Sequence, residues 1–130
     1  MEFNAYKMDG LGNDFIIIDR RESSINLTKD KIIELGDRSN IGFDQIIFID
    51  KKKESSFPIK IFNSDGGEVS ACGNGSRCVA YLLGKNLNTK EIKLKTNNRV
   101  LNAKIVGNLK VELEMGKPLF SFEDIPLSKT

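Results

Sequence analysis

At 130 residues, with 39% hydrophobic and 29% charged residues, the chain has ordinary soluble composition and room for one core, not comfortably two. A net charge of +2, from 20 basic and 18 acidic residues scattered along the chain, offers no basic stripe for nucleic acid, and Lys51-Lys52-Lys53 reads as a solvated turn. No apolar stretch nears the ~20 residues of a membrane span and the N-terminus has no signal-peptide core, so the expectation is a cytoplasmic protein that binds neither nucleic acid nor membrane.

Read from the start, Phe3 to Met8 is extended, Asp9 to Asp14 is a turn cluster with two glycines, and Phe15 to Asp19 is a β-branched run. Thr28 is an N-cap candidate for a helix carrying Ile32, Ile33 and Leu35 and ending near Arg38. The loop Ser39 to Asp44 leads into a strand over Gln45–Ile49, and after a polar turn a further strand runs Ile59–Phe62. Asn63-Ser64-Asp65-Gly66-Gly67 is a strong turn signal. A second helix is predicted from about Cys72 to Leu83, with Gly84 near its C-cap; its body, Cys78 to Leu83, is apolar nearly all round, as in a helix buried on every side. Strands follow at Glu91–Thr96, Val100–Val106 and Leu109–Met115, the last two joined through Gly107-Asn108 as a hairpin. The fold class is therefore α+β, a strand-rich sheet wrapped around one central buried helix. Residues 1–117 form the domain, and the turn-rich segment 118–130 reads as a linker leading out of it.

Two absences narrow the chemistry. The chain has no histidine, which excludes Ser-His, Cys-His and HExxH catalysis within it, and its two cysteines cannot build a usual structural zinc site. On a shared helix Cys72 and Cys78 would be separated by ~9 Å of rise and point to different faces, so they are read as two thiols rather than a disulfide. Cys72 stands where Gly73-Asn74-Gly75 leads into a helix. Unpaired backbone N–H groups at such a start stabilise a thiolate and hold a carboxylate. The competing view is that Gly-Asn-Gly only caps the helix and Cys72 fills space. Cys78, further along an apolar helix, reads as core. The stretch lacks the third glycine and preceding apolar strand of a dinucleotide fingerprint, and Arg77 is one place early for a cysteine-phosphatase loop. Gly12-Asn13-Asp14, Gly42-Phe43-Asp44-Gln45 and Phe62-Asn63-Ser64-Asp65-Gly66 each set an amide in a turn. Singly these are local hydrogen-bonding residues; together they could bind a polar, zwitterionic molecule.

Lys7-Met8-Asp9-Gly10-Leu11-Gly12-Asn13-Asp14-Phe15, Gly42-Phe43-Asp44-Gln45, Phe62-Asn63-Ser64-Asp65-Gly66 and Cys72-Gly73-Asn74-Gly75-Ser76-Arg77-Cys78 are, in order and spacing, similar to the diaminopimelate epimerase family. Met115-Gly116-Lys117-Pro118 and Ile125-Pro126 extend the likeness over nearly the whole chain. Asp9 departs from it, standing where the family usually has histidine. The resemblance implies two similar halves, each a sheet around a central helix, with the site in the cleft between them. It implies interconversion of LL- and meso-diaminopimelate, for lysine and peptidoglycan synthesis, with no cofactor: neither pyridoxal phosphate nor metal. Cys72 would be one of two catalytic cysteines, Gly73 and Asn74 would hold the α-carboxylate, and Asn13, Gln45 and Asn63 would bind the other polar groups of the substrate. The second cysteine belongs to a second half, which becomes a required partner; a homodimer is compatible with this. Alternatives are a related racemase or isomerase with another substrate, and a non-catalytic isolated domain.

Overall fold

A computed structural model of the chain describes residues 4–10, 13–23, 25–37, 39, 41–69, 73–96, 99–108 and 110–115. The predicted domain end at 117, the linker 118–130 and Cys72 lie outside the described residues. In chain order the elements are β1 (Asn4–Gly10), β2 (Asn13–Asp19), α1 (Lys29–Gly36), β3 (Gln45–Ile49), β4 (Phe57–Asn63), β5 (Glu68–Val69), α2 (Gly73–Leu87), β6 (Glu91–Lys95), β7 (Val100–Gly107) and β8 (Lys110–Met115). They form one sheet in the order β1-β2-β3-β4-β6-β7-β8, with β5 paired on β4.

Most neighbours are antiparallel, but β2 runs parallel to β3 and β4 parallel to β6. Each parallel pair needs a crossover, and each of the two helices supplies one, α1 between β2 and β3 and α2 between β4 and β6. The two helices take opposite faces. Phe15, Ile17, Ile47, Ile49, Ile59 and Ile61 pack with Val79, Ala80 and Leu83 of α2. The alternate residues Ile16, Ile18, Ile46 and Phe48 pack with Ile32 of α1 and with Phe43. This explains why β2 and β3 read as unbroken apolar runs: both faces of these central strands are covered. The helix α2 touches β1, β2 and β3 on one side and β6, β7 and β8 on the other, so the sheet wraps it.

The expected α+β architecture is what the structure shows, with one addition. The outer face carries a second, smaller core under α1, so the sheet does not serve a single helix. Thr28 caps α1 as predicted, its Oγ1 accepting from the Lys31 N–H at 3.1 Å, but Ile33 points to solvent.

The end of α2 differs from the sequence reading. Gly84 is no cap; the helix runs on to Leu87. Asn88, at φ 55°, takes the left-handed position, and the Thr89 N–H donates back to the Gly84 carbonyl at 3.0 Å, which closes the helix as a Schellman turn. Gly84 serves packing instead: a Cβ there would lie 2.0 Å from Ile105 Cδ1. Nor is α2 buried on every side. Gly75, Ser76, Cys78, Val79, Ala80, Leu83 and Gly84 are buried, whereas Gly73, Lys85, Asn86 and Leu87 are exposed and Leu82 is half-buried.

Candidate functional site

Strand register brings the three predicted amide residues together. Gln45 pairs with Phe15 on one side and with Asn63 on the other, so these side chains share the face that holds α2. Asn13 stands two residues before Phe15 and therefore points to the same face. All three are partly buried, and Gln45 Nε2 donates to Asn63 Oδ1 at 2.9 Å. Gln45 Oε1 is buried with no partner among the described residues. An acceptor left open in this way suits the N–H of a bound molecule.

The turn after Asn63 is locally determined. Its N–H donates to the Gly67 carbonyl at 2.8 Å, the Gly66 N–H donates to the Asn63 carbonyl at 2.9 Å, and Asp65 Oδ1 accepts from the Gly67 N–H at 2.8 Å. Gly66 has φ 87°, and a Cβ there would lie 2.5 Å from Lys29 Cγ, so this position needs glycine both for its backbone and for the approach of α1.

The start of α2 faces the same edge. Because β6 is parallel to β4, with Leu94 beside Phe57, the helix between them must travel back along β4. Its 15 residues span ~22 Å, from the edge where β4 ends at Asn63 to the edge where β4 begins. Gly73 and Asn74 open this helix, and the N–H groups of its first turn have no intrahelical acceptors. Gly75 and Ser76 are buried, and Ser76 Oγ has no partner among the described residues. A Cβ on Gly73 would lie 3.3 Å from Arg77 Nη1, so a guanidinium adds positive charge at this helix start. Neutral donors and a positive helix end are what an anionic or zwitterionic amino acid would meet.

Of the six predicted site residues, Asn13, Gln45 and Asn63 share one face by strand register, Gly73 and Asn74 open the helix that packs on that face, and Cys72 lies outside the described residues. Cys78 is a buried thiol on the α2 core face, as the sequence suggested. Asp9, the departure from the family pattern, is exposed and pairs with Asp14 on the face opposite the amides.

Reading the residues in order missed how Asp14 and Asp44 are used. The Asp14 N–H donates to Asp44 Oδ2 at 3.0 Å, and the Asp44 N–H donates to Asp14 Oδ1 at 2.9 Å. A signal existed: each aspartate stands immediately before the first residue of an aligned strand pair, at Asp14-Phe15 and Asp44-Gln45. Elsewhere, the Arg21 guanidinium hydrogen-bonded to Asp19 holds that carboxyl below its ordinary value. Asp19 ends β2 at the far edge of the sheet and takes no part in the amide cluster.

Comparison with known proteins bears on the family and the fold. A model of the diaminopimelate epimerase family matches residues 5–121. The diaminopimelate epimerase of Pelagibacter ubique (strain HTCC1062) is 54% identical over 129 residues, covering 99% of this chain and 47% of the relative. That of Acidiphilium cryptum (strain JF-5) is 40% identical over 124 residues, covering 95% and 45%. The chain thus spans about half the length of the curated relatives it matches. Among solved structures, a phenazine biosynthesis protein of the PhzF family from Enterococcus faecalis superposes with a TM-score of 0.60 at 14% identity, over 80% of this chain and 40% of that one. One from Bacillus anthracis gives 0.58 at 19% identity, over 87% and 38%; at such identities the likeness is one of fold alone. With a family match across most of its length and a relative 54% identical over nearly the whole chain, the chain belongs to the diaminopimelate epimerase family.

Proposed function

We propose that this chain is the first half of an enzyme that interconverts LL- and meso-diaminopimelate by proton transfer between two thiols, in lysine and peptidoglycan synthesis. The observation that carries the proposal is the convergence of Asn13, Gln45 and Asn63 on the edge where α2 begins. In this scheme Cys72 is one of the two acid–base groups. Gly73 and Asn74 hold the α-carboxylate through their backbone N–H groups, and the three amides bind the substrate's remaining polar groups.

The chemistry needs these parts. Removing the α-proton of an amino acid leaves a carbanion, and N–H groups aimed at the carboxylate stabilise the charge as it develops. A cysteine that immediately precedes a helix in sequence, as Cys72 precedes Gly73, is favoured as the thiolate base by the N–H groups of the helix start. Inversion further requires a base on one face of the carbon and an acid on the other. Cys78 cannot be that second group, because it is packed into the core between α2 and the sheet. The opposite thiol is assigned to a second half, which makes that half a necessary partner and puts the reaction in the cleft between the two. The scheme uses neither pyridoxal phosphate nor metal, belongs in the cytoplasm, and is compatible with a homodimer of the complete enzyme.

The test is to incubate the LL isomer in deuterated water with this chain, alone and with a separately produced second half of the Pelagibacter ubique relative. The chain alone should form no meso isomer, because a carbanion reprotonated from the face it lost its proton to is returned with retention. With the second half, the meso isomer should form and carry deuterium at the inverted carbon, and Cys72→Ala should abolish it. Sustained formation of the meso isomer by the chain alone would refute the two-thiol scheme.

A further inference from the structure

Behind the amide cluster, on the α1 face of the sheet, two carboxylates bind each other's backbone. The Asp14 N–H donates to Asp44 Oδ2 at 3.0 Å. The Asp44 N–H is shared between Asp14 Oδ1 at 2.9 Å and the Asp14 carbonyl at 3.0 Å. The Asp44 carbonyl accepts from the Ser64 N–H at 3.2 Å. Lys7 offsets the paired negative charges, with Nζ 3.7 Å from Asp14 Oδ2 and 3.5 Å from the Gly42 carbonyl.

Each backbone group in this set adjoins one of the site amides: Asn13 precedes Asp14, Gln45 follows Asp44, and Asn63 precedes Ser64. Side chains alternate across a strand, so a residue that grips the backbone on one face fixes the neighbour pointing to the other.

We propose that Asp14 and Asp44, with Lys7 ion-paired to Asp14, form a reciprocal clamp that sets the spacing of Asn13, Gln45 and Asn63 for substrate. They are positioning residues; neither faces the amide side of the sheet. The proposal rests on the epimerase reading for its substrate, but the clamp itself can be observed without any substrate.

The experiment has two readouts. In ligand-free chain, ¹⁵N spectra of the side-chain amides report the Gln45–Asn63 hydrogen bond. Asp44→Ala should move the Gln45 and Asn63 side-chain signals toward the positions of unstructured amides, while Asp44→Asn, which keeps an acceptor oxygen, leaves them in place. In the chain complemented by a second half, Asp44→Ala should raise KM for diaminopimelate by at least about tenfold, since a misplacement of ~1 Å can cost roughly 100-fold. Asp44→Asn should stay within about threefold of the parent. Leu83→Ala, destabilised through the core, is the control whose KM should not rise. Unchanged amide signals in Asp44→Ala overturn the clamp whether or not the complemented chain turns over. An equal rise of KM in Leu83→Ala overturns it too, because general loosening would then explain the effect. Absence of turnover in the complemented parent chain counts against the epimerase reading alone, and the amide signals then decide the clamp.

Discussion

Gly84→Ala tests the packing of α2 against the sheet most sharply, because two effects of opposite sign meet at one atom. Gly84 sits inside the helix, four residues before the left-handed Asn88. At an open helical position, glycine to alanine gains about 1 kcal/mol through helix propensity. Here the added Cβ would fall 2.0 Å from Ile105 Cδ1 and 2.9 Å from the Thr89 carbonyl oxygen, where van der Waals contact needs ~3.5 Å or more. Ile105 is half-buried and its terminal methyl can swing aside at modest cost. The Thr89 carbonyl cannot, since that residue is held by its own N–H bond to the Gly84 carbonyl at 3.0 Å. Overpacking of this kind costs ~1–3 kcal/mol. With the propensity gain of about 1 kcal/mol set against that cost, the net expectation is a loss of up to about 2 kcal/mol in urea unfolding followed by circular dichroism, with an unchanged m-value. Adding Ile105→Val removes the Cδ1 contact and should recover roughly half of the loss as a favourable coupling in a double-mutant cycle. A Gly84→Ala chain that is more stable than the parent by about 1 kcal/mol would show that β7 does not approach the helix there, and would refute the reasoning.

The core makes a second, graded prediction. Leu83→Ala should cost ~2–5 kcal/mol in the same unfolding assay, and Leu82→Ala distinctly less, because Leu83 is fully enclosed whereas Leu82 is half-buried at the edge of the cluster. A pH prediction follows from Asp19, whose carboxyl is held low by the Arg21 side-chain hydrogen bonds at 2.9 and 2.7 Å. Its stabilising contribution is present above the ordinary carboxylate value of ~3.9 and is lost as pH falls through the lowered folded value, so Asp19→Asn should flatten the acid limb of the stability profile below about pH 4.

How much of this was legible in the sequence depended on whether the determining contact was local. Strand β3 was readable from Ile46-Ile47-Phe48-Ile49, a continuous apolar run between Asp44-Gln45 and Asp50. The Thr28 cap was readable because its partner, the Lys31 N–H, is three residues away. Gly84 was misread as a cap because its requirement comes from Ile105, a contact between residues far apart in the chain. The short β5 escaped because two residues carry no periodicity; it exists only through its pairing with Ile61 and Phe62. Asn13, Gln45 and Asn63 could be named from their motifs. That they share one face could not be derived until the registers Phe15–Gln45 and Gln45–Asn63 were known. A slip of one residue in either pairing would turn an amide to the α1 side.

That sensitivity to register gives a physical reason for charges behind a neutral site. A substrate carboxylate approaching the edge of the sheet would be repelled by aspartates on the amide face, and the amides would then be poor hosts. Yet hydrogen bonds among the amides alone do little to lock three strands, since Gln45 Nε2 to Asn63 Oδ1 bridges only β3 and β4. Carboxylates grip backbone N–H groups more strongly than neutral acceptors do, because the acceptor carries full charge. Placing them at Asp14 and Asp44 uses that strength where the alternation of the strands points it away from the amides. Lys7, reaching over from β1, cancels part of their field and ties the outermost strand into the same arrangement. The result is a set of neutral donors and acceptors whose spacing is fixed by ions on the other side of the sheet. It follows that removing the positive charge of Lys7 should act on the same amides through Asp14, although the lysine lies on the α1 face and never meets the amide side.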